Sequence, residues 1–325
     1  MRLLVVTNMY PTPARPYFGI FVERQVEALR RAGLDVALEV VSADRGEADY
    51  LLGRGRVRGA VRSFQPELIH CHYGYTPLAA AFTGQRYVVT LCGDDINGQS
   101  DGRGGITPKS RAGVLVTQLL ALTAQRVIVK SEAMRRRLWA AAQRKAETLS
   151  NGVDLAMFSP GSRTEARRRL GLPAEGLVLG FVNSIRQPTK RLDLAEAVRD
   201  TLAGQGVSSR LLVADVVPAA EMPWFYRAAD CLLMTSDREG APNCVKEALA
   251  CGTPVVGVPV GDLLELITNP AMGRVTDRDP GRLADAVLAL GSAPDVRPSL
   301  LPPQFGQPAV IERLLAIYER ARGGR

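Results

Sequence analysis

Two glutamates, Glu239 and Glu247, are the residues of this chain best placed to do chemistry. An apolar run at 229–234 predicts a buried strand before them, and Pro242, with its fixed φ and no N–H, indicates the first turn of a helix. The free N–H groups of a helix start attract an anion, and a tight turn at Gly240 lets a ligand approach the backbone. Carboxylates beside an anion site suit a ligand with phosphates and many hydroxyls. A nucleotide sugar fits; the alternative is that both glutamates are ordinary surface residues.

Two histidines, His70 and His72, lie two residues apart at the end of a predicted strand and therefore face the same way. They have no carboxylate or thiol neighbours at metal-ligand spacing, so they are poor evidence for a metal. The alternative is that they are hydrogen-bonded structural imidazoles.

Asp277-Arg278-Asp279 has the letters of a D-x-D metal motif, but it precedes a predicted helix at 280–290, where helix capping is the expected use. We expect no divalent metal.

The composition indicates a two-domain enzyme of the cytoplasm. At 325 residues and 46% hydrophobic content, the chain is long enough for two domains with real cores. Its apolar runs are shorter than a membrane span, and its first ten residues resemble a core strand and not a signal peptide. The five cysteines are odd in number, scattered and without C-x-x-C spacing, which favours a reducing compartment.

Positive charge is concentrated in the first half of the chain. Up to Ser159 there are 21 Lys and Arg residues against 14 Asp and Glu, with clusters at 54–62 and 135–145. Such a basic face suits an anionic membrane surface or a phosphate-bearing acceptor. A solvated surface is the alternative. Nucleic acid is excluded as a partner because no aromatic residues interleave the arginines and no nucleic-acid motif is present.

The elements that must position these residues alternate between strands and helices, the pattern of parallel sheets built from β-α-β units. Strands are predicted at 3–7, 36–41, 68–71, 87–91 and 126–129, with helices at 19–32, 75–83, 112–123 and 132–142. After a turn at Asn151-Gly152 the pattern restarts, with strands at 177–182, 210–214, 231–234 and 254–258. The chain is thus predicted to be α/β, with doubly wound domains at 1–159 and 160–307. An amphipathic helix at 308–325 is expected to pack back on the first domain.

Four ordered motifs resemble those of the retaining GT-B glycosyltransferases of family four. The string 236–256 resembles the donor-sugar motif E-G-x-P-x-x-x-x-E-A-x-A-x-G-x-P-V-V, and 151–160 resembles N-G-V-D-x-x-x-F-x-P at the end of the family's first domain. Lys190 matches the lysine of G-R-x-x-x-x-x-K-G, and Gly19 lies in a loop that resembles the opening of bacterial members that build surface polysaccharides.

The chain departs from the family pattern at two polar positions. Ser184 stands where the family has the diphosphate arginine, and Arg186, two residues on, is the expected substitute. The segment 90–97 resembles T-x-H-G-x-D, but Cys92 replaces the histidine near the reacting sugar. Asp95 falls on the family's aspartate, with Asp94 beside it, and either carboxylate could accept a hydrogen bond from an acceptor hydroxyl.

The resemblance implies two Rossmann-like domains facing a central cleft, an acceptor domain at 1–159 and a donor domain at 160–307. It implies transfer of a sugar, with retention, from a nucleotide diphosphate sugar to the hydroxyl of a sugar, a lipid-linked acceptor or a small molecule, without a metal or other cofactor. In this scheme Glu239 orients sugar hydroxyls, Glu247 binds the ribose, and Lys190 and Arg186 neutralise phosphate.

The residues assigned on this basis form three sets. The catalytic set is Glu239, Lys190, Asp95 and His72; the donor-binding set is Gly19, Asn183, Ser184, Arg186, Lys190, Glu239, Gly240, Ala241, Pro242, Asn243 and Glu247; the acceptor-side set is His70, His72, Asp94 and Asp95. Two alternatives stay open. One is a non-catalytic partner or activator of another glycosyltransferase, suggested by Ser184 and Cys92; the other is a nucleotide-sugar epimerase of the same architecture.

Overall fold

The computed structural model describes residues 1–323 apart from 42–45, 47, 82, 100–104, 184–187 and 216. It divides the chain into two compact units: Met1–Gly152 with Gln307–Arg325, and Val153–Gly306. The first division lies after Gly152, whereas the sequence predicted Ser159. The reason is local, because the N–H of Val153 donates to the carbonyl of Phe305 at 2.9 Å and Phe158 is buried in the core of the second unit.

The first unit contains a parallel sheet whose described strands run in the order β2-β1-β3-β4-β5-β6. These strands are β1 (Arg2–Thr7), β2 (Asp35–Val40), β3 (Leu68–His72), β4 (Tyr87–Thr90), β5 (Arg126–Val129) and β6 (Ala146–Thr148). The register places Thr7 beside His72 and His72 beside Thr90, so the carboxyl ends of β1, β3 and β4 share one edge. This is the edge at which doubly wound sheets bind ligands.

Helices cover both faces of this sheet. They are α1 (Ile20–Arg31), α2 (Asp49–Leu52), α3 (Arg54–Phe64), α4 (Pro77–Ala80), α5 (Asp94–Asn97), α6 (Pro108–Thr123), α7 (Glu132–Arg136), α8 (Ala140–Gln143) and α15 (Gln307–Gly323). On one face Val22, Leu314 and Tyr318 of α1 and α15 are buried with Leu3 and Leu68 of the strands. On the other face lies a second apolar core, to which α3 and α7 contribute Val57 and Met134.

The second unit has a parallel sheet in the order β11-β10-β9-β7-β8 within the described residues. Its strands are β7 (Leu177–Val182), β8 (Ser209–Ala214), β9 (Cys231–Met234), β10 (Val255–Gly257) and β11 (Gly273–Val275). Its helices are α9 (Arg163–Arg169), α10 (Leu192–Gly204), α11 (Met222–Ala228), α12 (Asn243–Ala250), α13 (Leu263–Leu266) and α14 (Pro280–Leu288). Because β7 and β9 are neighbours, the loops after them meet at one edge of the sheet.

Some predicted elements differ from those observed. The helix predicted at 132–142 is interrupted, because the chain leaves the helix between α7 and α8 and Trp139 takes an extended conformation. The helix predicted at 75–83 is the single turn α4. Strands β6 and β11 and helix α3 were not predicted. In the described part of the chain, no helix is long and apolar enough to cross a membrane.

Candidate active site

The loops after β7 and β9 bring two predicted residues into direct contact. Lys190 ends a short 3-10 turn after β7, and Glu239 lies in the loop between β9 and α12. The Lys190 Nζ lies 2.6 Å from Oε1 of Glu239, and the two side chains are only 20% and 14% exposed. Partial burial strengthens this ion pair relative to one in open solvent. The group expected to hold phosphate and the group expected to hold sugar hydroxyls therefore hold each other.

Glu247 is also held in place, on the second turn of α12. The hydroxyl of Tyr226, on α11, donates to Oε2 of Glu247 at 2.8 Å. Tyr226 is fully buried, and burial together with the Glu247 charge raises the pKa of its phenol well above its ordinary value. The phenol therefore stays protonated and donates its hydrogen bond to Glu247. This bond orients the carboxylate of Glu247, which is half-buried. Tyr226 lies 21 residues away in the sequence, and no motif pointed to it.

Helix α12 begins at Asn243, so Pro242 is its N-cap and not its first helical residue. Pro242 is extended, with φ −65° and ψ 121°, and no side chain caps the helix. Gly240, Ala241 and Asn243 are half-buried around it. Helix N–H groups without side-chain acceptors suit an anion.

Gly261, in the loop after β10, was not singled out from the sequence. Its φ is +60°, and a Cβ there would lie 3.1 Å from the Glu239 Cβ, the Gly240 carbonyl and the Pro242 Cδ. The left-handed conformation and this close approach both favour glycine. Gly261 therefore lets the loop that carries Glu239 pack closely.

Of the other predicted donor-binding residues, Asn183 lies at the end of β7, where its N–H donates to the Ala214 carbonyl at 2.9 Å. Ser184 and Arg186 lie outside the described residues. Lys246, next to Glu247, points the other way: it is buried and pairs with Asp262 at 2.6 Å. Such a pair offsets its own burial cost and is structural.

In the first unit, His70 is buried and its ring is bonded to two protein side chains. Its Nδ1 lies 2.6 Å from the Tyr318 hydroxyl on α15, and its Nε2 lies 2.7 Å from the Thr90 Oγ1. Burial lowers the pKa of His70 to about 3, so the imidazole is neutral. Both ring nitrogens thus have protein partners, and the acceptor-side role of His70 stays a prediction.

His72 is buried as well, with 1% of its surface exposed and its ring centroid 4.1 Å from that of His70. Its Nδ1 has no hydrogen-bond partner among the described residues. Burial, and next the charge interactions with His70 and Lys130, lower the pKa of His72 well below its ordinary value. The buried imidazole is therefore neutral at neutral pH, and the catalytic role of His72 stays a prediction.

Asp95 likewise binds the protein's own backbone. Its oxygens accept the N–H groups of Gly93 at 2.8 Å, Gly74 at 2.9 Å and Cys92 at 3.0 Å. The side chain is fully buried, and burial raises the pKa of the carboxyl while these three bonds oppose the rise. Asp95 thus holds backbone N–H groups of the protein and its catalytic role stays a prediction, whereas Asp94, at the start of α5, is exposed.

Cys92 stands where the family has a histidine, but its thiol does not offer the hydrogen bonds of an imidazole ring. Burial raises the pKa of the thiol to about 12, and its Sγ makes a weak contact with the Thr90 carbonyl at 3.7 Å.

Gly19 was expected to let a phosphate approach the backbone, but the fold of the chain itself requires a glycine at this position. It is the left-handed N-cap of α1, with φ +78°, and a Cβ there would lie 2.3 Å from the Met9 carbonyl carbon. No other residue type fits this backbone approach, so the glycine is explained without a ligand.

The D-x-D letters are used for capping, as predicted. The Asp279 Oδ1 accepts the N–H of Arg282 at 2.9 Å at the start of α14. Within the described ranges, no group of three His, Cys, Asp or Glu side chains could hold a metal ion.

Models of two glycosyltransferase domain families match the chain. The model of the glycosyl transferase 4-like domain matches residues 24–152, and the model of glycosyl transferases group 1 matches residues 187–292. The chain belongs to the group 1 glycosyltransferases. The second match includes Lys190, Glu239 and Glu247, and the first includes the β3 and β4 strand ends, so the family expected from the motifs is confirmed.

Curated relatives of this glycosyltransferase are named as D-inositol 3-phosphate glycosyltransferases. That of Catenulispora acidiphila is 31% identical over 229 residues, covering 58% of this chain and 55% of the relative. That of Actinosynnema mirum is 32% identical over 261 residues (66% and 62%), and that of Acidothermus cellulolyticus is 26% identical over 308 residues (80% and 68%). The chain spans about half the length of the first of these relatives.

Solved structures share the fold along nearly the whole chain. A sucrose-phosphate synthase from Thermosynechococcus elongatus superposes with a TM-score of 0.80 at 17% identity, covering 98% of this chain and 99% of the other. Anabaena HepE, in complex with UDP and glucose, superposes with a TM-score of 0.71 at 17% identity and the same coverage. These similarities confirm the predicted GT-B fold with its two parallel-sheet, Rossmann-like units.

Proposed function

We propose that this chain transfers a sugar from a nucleotide diphosphate sugar to a hydroxyl acceptor, with retention of the anomeric configuration and without a metal ion. The observation that carries the proposal is the ion pair of Lys190 with Glu239 in the loop before α12, with Glu247 of that helix oriented by Tyr226. A cation, a row of backbone N–H groups and two carboxylates are the chemistry that a diphosphate with two polyhydroxylated ends requires.

In the proposed donor complex the ammonium group of Lys190 leaves Glu239 and pairs with the diphosphate. Lys190 and the first N–H groups of α12 then hold the phosphates, Glu239 accepts hydrogen bonds from the sugar, and Glu247 accepts them from the ribose. The charge of the leaving diphosphate grows in the transition state, so preformed positive groups at this point supply acceleration.

The acceptor's proton needs a destination. Because His72 is buried and the oxygens of Asp95 are occupied, we assign the proton to the leaving phosphate oxygen. The bond between the anomeric carbon and the phosphate oxygen breaks, the acceptor oxygen bonds to that carbon on the same face, and the phosphate leaves with the proton. The rate acceleration then comes from electrostatic stabilisation of the leaving diphosphate and from orientation of the donor and the acceptor.

The test of the donor site is a thermal-shift screen of the full chain with UDP, GDP, ADP and dTDP and their common sugars, followed by transfer assays with the stabilising donor. A diphosphate that stabilises the protein supports the proposal, whereas no shift with any of them contradicts it. Activity retained in EDTA supports metal independence. Loss on chelation that magnesium or manganese restores contradicts it.

For the acceptor, we propose that the first unit binds a sugar, polyol or lipid-linked hydroxyl compound used in cell-surface polysaccharide or glycoconjugate synthesis. The names of the curated relatives favour a phosphorylated polyol as the first compound to assay. The polar groups of this unit that such an acceptor could contact include the exposed Asp94 and basic residues, which outnumber acidic ones in the first half of the chain.

We also propose that the enzyme works in the cytoplasm, peripherally on an anionic bilayer. Helix α6 exposes Leu115 and Leu119, each about half accessible, and its sequence has Lys109 and Arg111 but no acidic residue. The arginines at 54–62 lie on α3, and those at 135–137 lie on α7 and its C-cap; both helices pack on the same core as α6. Apolar side chains beside cations suit an anionic lipid surface.

Two of these arginines contribute less than the sequence suggested. Arg56 pairs with Asp49 at 2.8 Å, and Arg135 pairs with Glu132 at 3.2 Å. Sedimentation with vesicles of anionic lipid at low and high salt tests the surface. Salt-sensitive binding that Leu119→Ser weakens, and that the control Leu264→Ser in the second unit does not, supports it. Binding that is absent at low salt contradicts it.

The alternatives predict different products. An epimerase yields a new nucleotide sugar without any acceptor, so incubation with the donor alone identifies it. A non-catalytic partner binds no donor, and the assembled Lys190, Glu239 and Glu247 favour a working donor site over that alternative.

A further inference from the structure

Arg278 lies between β11 and α14, two residues before the first helical residue Pro280. Its Nη1 donates to the Thr235 carbonyl at 2.6 Å, and its Nη2 donates to the Ser236 carbonyl at 2.9 Å. These carbonyls belong to the first two residues after β9, where the sheet ladder has ended. The planar guanidinium fork can bind two adjacent carbonyls at once, which a lysine cannot do.

The same short segment is bonded to the loop that ends at Lys190. The hydroxyl of Thr235 lies 2.9 Å from the Lys190 carbonyl and 3.0 Å from the Arg191 carbonyl, and the N–H of Asp237 donates to the Thr189 carbonyl at 2.8 Å. The segment 235–237 is therefore the common support of the loop that carries Lys190 and the loop that carries Glu239.

Charges reinforce this support. The Asp237 Oδ1 lies 3.1 Å from Nη1 of Arg278 and 3.1 Å from Nη1 of Arg191. Arg191 has a left-handed backbone, φ 58°, at the start of α10, a conformation that costs free energy in a non-glycine residue and must be held by its surroundings. Arg278 thus closes a network that fixes the backbone on both sides of the donor ion pair.

We infer that Arg278 is a positioning residue for the donor site: by holding residues 235–237 it places Lys190 and Glu239 for the diphosphate and the sugar. This inference rests on the proposed donor function of those two residues. Arg278 acts through the loops. Its side chain is one third exposed, so the fold of the unit does not depend on it as on a core residue.

The matched control is Arg282, four residues further on in α14, whose side chain pairs with Asp277 and is 64% exposed. Arg278→Ala and Arg282→Ala remove the same group from the same region, but only the first breaks contacts to 235–237. Arg278→Lys keeps the charge and loses the fork.

The first experiment is hydrogen exchange of the full chain, which needs no substrate. Arg278→Ala is expected to raise exchange of the Asp237 amide and of the peptide that contains 188–191, while Arg282→Ala leaves both at the wild-type rate. Unchanged exchange in Arg278→Ala overturns the inference, whatever the activity.

The second experiment is kinetic. Since a misplacement of about 1 Å can cost about 100-fold in rate, Arg278→Ala should lower kcat/KM by about 10- to 100-fold, with Arg278→Lys intermediate. Dilute guanidinium, below denaturing concentration, should restore part of the Arg278→Ala rate. Kinetic constants equal to those of Arg282→Ala overturn the inference. Raised exchange in a chain whose wild type binds no nucleotide contradicts the proposed function alone.

Discussion

The two units use the carboxyl ends of their strands differently. In the second unit, Lys190, Glu239 and Glu247 are partly exposed; Lys190 pairs with Glu239, and Glu247 accepts a hydrogen bond from the Tyr226 hydroxyl. In the first unit, His70 and Asp95 are buried, and their polar atoms are taken by Tyr318, Thr90 and backbone N–H groups. Polar residues near the carboxyl ends of the strands therefore form a candidate ligand site in one unit and bond to the protein's own groups in the other.

The largest effect should come from Lys190→Ala. It removes the flexible cation at the diphosphate and leaves Glu239 unpaired, so kcat/KM should fall by about 100- to 1000-fold, the usual effect of losing one transition-state contact. Steady-state kinetics with the donor found in the screen measure this. Arg210→Ala, which removes an exposed cation on β8 of the same unit, is the charge-matched control. A Lys190→Ala rate within a few-fold of the control would place the diphosphate elsewhere.

Asp95→Asn tests the first unit, where stability should change and donor binding should not. Asparagine presents one acceptor oxygen and adds an N–H₂ group against backbone N–H groups, so the unfolding free energy should fall by about 3 kcal/mol. Denaturant unfolding measures the loss, and exposed Asp94→Asn is the control with little expected change. If Asp95→Asn is as stable as Asp94→Asn and only activity falls, Asp95 acts in catalysis and not in holding the fold.

Glu247→Ala should weaken binding of the nucleotide by about 1–3 kcal/mol, the scale of a lost hydrogen bond to a charged group, and leave the fold intact. Tyr226→Phe should have a smaller effect in the same direction, because it frees the carboxylate without removing it. Calorimetric titration of both variants gives the two values. Unchanged affinity in Glu247→Ala would remove this residue from the site.

The smallest effect is on pH dependence and concerns His70. Its folded pKa, about 3, lies below the ordinary value of 6.5, so its neutral form stabilises the fold above pH 6.5 and this contribution is lost as pH falls. The slope below pH 6.5 should be about 1.4 kcal/mol per pH unit for this group. Thermal unfolding between pH 7 and 5 should show a flatter dependence in His70→Gln than in the wild type; equal slopes would mean that His70 is not buried neutral.

Much of the fold could be predicted because its strands are continuous apolar runs. β5, β7 and β9 have the predicted bounds. Helix α3 was missed because R-G-R-V-R-G-A-V-R has two glycines and four arginines, a poor helical pattern that tertiary packing of Val57 overrides. β6 and β11 have three residues each, too few to show a period.

The site could be predicted only where a local motif carries it. Glu239, Glu247 and Lys190 lie in such motifs, and the structure places two of them in contact. The burial of His70 depends on Tyr318, 248 residues away, and the role inferred for Arg278 depends on carbonyls about forty residues away. Contacts between residues so distant in sequence leave no periodic or spacing signal.

The most direct test of the donor site is calorimetric titration of wild type and Glu239→Gln with the nucleoside diphosphate and with its sugar, beside turnover. Glu239→Gln releases Lys190 from its ion pair, so affinity for the diphosphate should stay equal or rise, while the added affinity from the sugar is lost and kcat falls by about 100-fold. Loss of affinity for the diphosphate as large as that for the nucleotide sugar would contradict the division of roles between Lys190 and Glu239.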